Sequence, residues 1–115
     1  MAKVVAIYKF RGIKERYVVP THILDKIGTY YGINPKTISK RYFNRSSGAT
    51  AKGYPVSYAR KVYWKWMATE FGFTPTRISR IEGFDHNSVY TALDEFHLVE
   101  EDYKKIFDEK DNLRH

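Results

Sequence analysis

Asp85, His86, Asn87 and Ser88 follow one another directly after Gly83 and Phe84. Three of these side chains suit the edges of nucleic-acid bases. Asp accepts from cytosine N4, Asn pairs with adenine N6 and N7 together, and Ser serves either a base or a phosphate. Upstream lie the cations Lys40, Arg41, Arg45, Lys52, Arg60 and Lys61, which suit phosphate. Catalytic chemistry finds no comparable grouping. The histidines His22, His86, His97 and His115 lack metal-binding spacing such as His-x-x-x-His. The chain has no cysteine, so a thiolate metal site, a disulfide framework and a cysteine nucleophile are all excluded. Asp85 and His86 are adjacent, but no partnered Ser or Thr nucleophile accompanies them. The expectation is therefore a binding protein with no cofactor, not an enzyme.

Charge points the same way. The formal net charge is +7, and it is unevenly spread. Residues 1–61 hold 13 Lys/Arg against two acids, a local +11, whereas residues 62–115 hold seven against 11, a local −4. A basic half on a small domain favours a polyanion partner. The rival reading is a protein-interaction adaptor that docks a basic partner through its acidic C-terminal half. Asp94, Glu95, Glu100, Glu101 and Asp102 are expected on a solvated face. The longest apolar run, Val4 to Tyr8, is far shorter than the roughly 20 residues of a membrane span. The sequence reading is thus a cytoplasmic, nucleoid-associated protein without a membrane partner.

The elements that must position these residues read as helices. The chain is 115 residues long, one domain's length. Residues 1–20 are strand-prone and form either an arm or a small hairpin, with Arg11 and Gly12 as its turn. Thr21 caps a first helix with a stripe of Ile23, Leu24, Ile27, Tyr30 and Tyr31, and Gly32 stops it. Asn34 and Pro35 begin a short second helix carrying Ile38 and Tyr42. Residues 44–56 form a polar loop. Ser57 caps a third helix, from Tyr58 to about Phe71, with Trp66 in the core. Thr74 and Pro75 open a fourth helix presenting Ile78 and Ile81, and Gly83 breaks it. Asp85 caps a fifth, with Val89, Ala92, Leu93 and Phe96 on one stripe. A last helix runs from about Glu100. Tyr30, Tyr31 and Tyr63 are expected at core edges with their hydroxyls in water.

Two short helices joined at Gly83–Phe84 make a helix-turn-helix candidate, whose second helix would present its N-terminal residues to the major groove. Here the sequence resembles a known family. Tyr58-Ala59-Arg60, then Ile78, then Gly83-Phe84-Asp85-His86-Asn87-Ser88-Val89 is similar to the C-terminal DNA-binding domain of the bacterial replication initiator DnaA. The family signature Arg-Asp-His-Thr-Thr-Val opens its recognition helix. Ile23 to Arg41 resembles the family's opening helix, Tyr-Tyr-x-Ile turn and basic segment, so the likeness covers about residues 21–110.

The resemblance implies a Trp-repressor-like all-α fold of about six helices, with the N-terminal segment 1–20 before it and a tail 111–115 after it. It implies that Asp85, His86 and Asn87 face bases, that Ser88 and Arg60 contact phosphate with Lys61 beside them, and that Lys40, Arg41, Arg45 or Lys52 enters the minor groove. Phe84 stands where the family has arginine, and Asn87 where it has threonine. Threonine's methyl suits thymine, whereas Asn87 suits adenine, so a different site is expected. No Gly-x-x-x-x-Gly-Lys-Ser/Thr motif occurs, so the chain reads as a stand-alone DNA reader of phage or mobile-element type. Its expected role is sequence-preferring binding of double-stranded DNA in the regulation of replication or transcription, alongside proteins of those processes.

Overall fold

The computed structural model describes residues 4–42 and 54–107. A hairpin of β1 (Val5–Phe10) and β2 (Ile13–Val18) precedes five α-helices. These are α1 (Thr21–Tyr31), α2 (Tyr54–Glu70), α3 (Pro75–Glu82), α4 (His86–Asp94) and α5 (Glu100–Phe107), with single 3-10 turns at Pro35–Thr37 and Phe96–Leu98. The fold is α-rich with a small β-hairpin, which corrects the expectation of an all-α domain with about six helices on two counts.

The first correction is the hairpin. The strands are antiparallel, with Val5 opposite Val18 and Phe10 opposite Ile13. Arg11 (φ 53°) and Gly12 (φ 80°) supply the two positive φ angles that a two-residue hairpin loop requires. Ala6, Tyr8 and Tyr17 pack on the body. The outward face mixes Val5, Ile7 and Val18 with Lys9, Lys14 and Arg16. Those exposed β-branched residues hide the alternation that would announce the strands.

The second correction concerns residues 35–42. Asn34 caps a turn by accepting from Lys36 N at 2.9 Å, and Pro35 occupies the first position, but the turn ends at Thr37. Its position is set from α1. A Cβ on Gly28 would lie 2.9 Å from the Ile33 carbonyl oxygen and 3.1 Å from the Pro35 ring. Backbone cannot yield there as a flexible side chain can. Gly28→Ala should therefore lower stability by about 1–3 kcal/mol in thermal unfolding, and a variant melting like the parent would contradict the contact.

Leu24 and Ile27 of α1, Val62, Tyr63 and Met67 of α2, Ile78 and Ile81 of α3, and Val89 of α4 meet in one core. Helix α1 starts from Pro20, not from a Thr21 cap, and Gly32 ends it in the left-handed region at φ 69°. Helix α2 starts before Ser57, whose hydroxyl instead accepts from Lys61 Nζ at 3.0 Å. Trp66 lies at the edge of the core and not within it as expected. Trp64 is buried at 3% exposure, while Trp66 is only partly buried and packs edge-on to Phe71. No helix among the described residues is long and apolar enough to cross a membrane.

Candidate nucleic-acid interface

Local chemistry fixes the joint between α3 and α4. Thr74 Oγ1 accepts from Arg77 N at 3.2 Å and Pro75 takes the first helical position, where no backbone donor is needed. Gly83 closes α3 in the left-handed region at φ 72°, its N–H donating to Ser79 O at 2.8 Å. Phe84 follows. Asp85 is extended, and its Oδ2 accepts from Asn87 N at 3.0 Å to cap α4. The joint is thus three residues long and contains a glycine, as a helix-turn-helix requires.

Val89 and Ala92 bury one side of α4. Its other side exposes His86, Asn87, Ser88, Tyr90 and Thr91. The first turn is held in place. His86 Nε2 lies 2.9 Å from Thr76 Oγ1 on α3, and its ring meets Tyr90 edge-on at 4.5 Å. His86 Nδ1 is left without a partner from α3, and the exposed Asn87, Ser88 and Thr91 line an open cleft with Arg60 and Phe84.

Three of the six cations converge on the turn. Lys40 Nζ donates to Gly83 O at 2.9 Å and sits 4.3 Å from the Phe84 ring centre. Arg41 donates from Nε to Ile81 O and from Nη2 to Arg80 O. Together they satisfy carbonyls that the end of α3 leaves free, where positive charge also complements the helix dipole. Arg60 donates from Nη2 to Thr37 O at 2.9 Å and from Nε to Ile38 O at 3.3 Å, and its guanidinium lies 4.7 Å from the Phe84 ring. Burial lowers its pKa from the usual arginine value, with Glu82 opposing that shift. Lys61 lines one cleft with Arg60, Phe84 and Asn87, but its charge is already partnered. It is 7% exposed and pairs with Glu95 at 3.3 Å. Arg45 and Lys52 lie outside the described residues.

Phe84 packs against Trp64, with ring centres 5.0 Å apart. It therefore contributes a partly buried ring on which Lys40 and Arg60 gather, in place of a charge of its own. Phe84→Ala should cost about 2 kcal/mol, roughly half the value for a fully buried ring, while the backbone hydrogen bonds of Lys40 and Arg60 remain. Thermal unfolding measures this. A parent-like melting temperature would contradict the packing.

Glu82 is the residue that sequence reasoning missed. It is fully buried at the last position of α3. Ser39 Oγ donates to its carboxylate, 2.8 Å from Oε1, and Tyr63 OH donates to Oε2 at 3.1 Å. Tyr17 OH stands 3.0 Å from Tyr63 OH and completes the chain. The Tyr63 hydroxyl is therefore in the core, not in water. Desolvation raises the Glu82 carboxyl to about 7, against the opposing influence of Ser39, Tyr63, Arg41 and Arg60. A signal was present: Glu82 lies four residues after Ile78, on the apolar stripe.

This chain matches no protein-family model, no curated protein and no solved structure. The site therefore rests on its own geometry. Some of the acids have internal partners as well. The Asp102 carboxylate accepts from Tyr30 at 2.9 Å and from Tyr31 at 2.8 Å, so neither hydroxyl depends on water.

Proposed function

We propose that the protein binds double-stranded DNA with sequence preference, in the control of replication or transcription. The first turn of α4 enters the major groove. Asn87 is its principal base reader, with His86 and Thr91 beside it, and the Asp85 carboxylate's remaining acceptor capacity suits cytosine. Ser88 and the helix N-terminus face phosphate. One observation carries this reading: an exposed row of short polar side chains opens a helix directly beside a turn on which Lys40, Arg41 and Arg60 gather. Polar readers next to concentrated positive charge are what a duplex requires, because phosphate contacts position and base contacts specify.

The likeness of Asp85-His86-Asn87-Ser88-Val89 to the DnaA signature supports the same assignment. In that family the turn carries its own arginine, whereas here Lys40 and Arg60 lie over Phe84 at the equivalent place. The adaptor reading is weaker, since Glu82 is buried and Glu95 and Asp102 are held by Lys61 and by the Tyr30–Tyr31 pair.

The test is the salt dependence of duplex binding. Five to seven phosphate contacts give a slope of about −4 to −6 in log K against log salt. A slope near zero overturns the proposal.

A further inference from the structure

We propose that the outward face of the β1–β2 hairpin is a second contact to duplex DNA, gripping the phosphate backbone beside the site that α4 reads. The inference rests on the DNA reading of α4 and adds a separate element to it. Lys9 and Lys14 are paired directly across the two strands, and Arg16 lies two pairs further along on the same face, opposite Ile7. All three are exposed, and Arg11 follows at the tip. The hairpin's one acid, Glu15, points inward and pairs with Arg80 of α3 at 3.5 Å. Among the described residues, no carboxylate pairs with Lys9, Lys14 or Arg16.

Like charges directly opposite each other destabilise a strand pair. Arg11 also adopts φ 53°, a conformation that glycine or asparagine reaches more easily. The loop needs that φ but not an arginine to adopt it, and the strands do not need facing lysines; these residue choices place a cluster of cations at the hairpin's far end. A polyanion is the partner that such a cluster complements. A two-stranded ribbon is also narrow enough to lie against a duplex groove.

Position argues for the same duplex that α4 reads. Thr76 and Arg80 lie four residues apart on α3, so they are neighbours on one face. Thr76 bonds to His86 at the start of α4. Arg80 pairs with Glu15 and lies 4.2 Å from the ring centre of Phe10, at the hairpin's far end. The far end of the ribbon and the first turn of α4 are thus seated on adjacent turns of the same helix.

The test compares three proteins on one preferred and one scrambled duplex across a salt series. They are the parent, Lys9→Ala/Lys14→Ala, and Lys104→Ala/Lys105→Ala on α5 as a control of equal charge. Each lost phosphate contact removes about 0.9 from the slope, so the hairpin variant should show a slope shallower by about 2. Its affinity deficit should then shrink about tenfold between roughly 50 and 200 mM salt. The ratio between the two duplexes should stay as in the parent, the melting temperature should not fall, and the α5 control should keep the parent slope.

A parent slope retained by the hairpin variant overturns the hairpin contact and leaves the α4 reading standing. Equal changes in both variants also overturn it, since the effect would then be one of net charge. Self-association of the hairpin variant at an unchanged slope overturns it too, by making the lysines guards of a sheet edge. If the parent itself binds no duplex, the α4 reading fails first and the hairpin contact falls with it.

Discussion

Glu82→Gln should remove a pH dependence of stability worth about 3 kcal/mol between pH 5 and pH 8. In the folded protein the Glu82 carboxyl is raised to about 7, above its ordinary value of 4.5. The folded state therefore holds the proton more tightly than the unfolded chain. The stabilisation is fully present below pH 4.5 and is lost as pH rises through 7. Glutamine keeps an oxygen to accept from Ser39 and Tyr63 but cannot ionise. The difference between parent and variant in denaturant unfolding, followed from pH 5 to pH 8, isolates this one group. Parallel curves would show that the carboxyl keeps its usual pKa despite burial. The consequence reaches the site, because Glu82 is the last residue of α3 and immediately precedes the turn that launches α4.

Replacing the outward side chains of α4 should divide specificity from affinity. Asn87→Ala should narrow the gap between preferred and scrambled duplexes by about 1–3 kcal/mol, the worth of a good base contact. His86→Ala should narrow it less, since Nε2 is already engaged by Thr76 and only Nδ1 is left for a base. Lys40→Ala should weaken binding to both duplexes equally, because a charge near phosphate carries no sequence information. Titration of each variant against the two duplexes measures all three effects. A uniform loss in Asn87→Ala would remove α4 from the role of reader.

The parts of this molecule legible in its sequence are those set by local chemistry. Thr74-Pro75, Gly83 and Asp85 mark the bounds of α3 and α4 because a cap, a missing donor or a positive φ is decided within a few residues. The hairpin was legible only as an alternative, since its exposed Val5, Ile7 and Val18 resemble core residues. The short helix after Pro35 was an over-reading. A good cap starts a turn, but the Ser39 hydroxyl turns inward to Glu82 and accepts from Arg41 N, which takes that N–H out of a helical ladder.

What the sequence could not show is long-range pairing. Ser39 and Glu82 are 43 residues apart, as are Lys40 and Gly83. Nothing local announces that a basic segment will cap a distant helix, nor that Lys61 will turn to Glu95. Of the ten candidate residues that the sequence offers, Lys40, Arg41 and Arg60 meet at the turn beside Asp85, His86, Asn87 and Ser88. Lys61 lines the same cleft as Arg60, Asn87 and Ser88, with its ammonium already partnered by Ser57 and Glu95.

The most direct test of the central claim is selection of bound duplexes from a random double-stranded library by the purified protein. The account predicts enrichment of one short motif, with adenine prominent at the position lost when Asn87→Ala is put through the same selection. Retention without any enriched motif, or a motif unchanged in the Asn87→Ala selection, would contradict it.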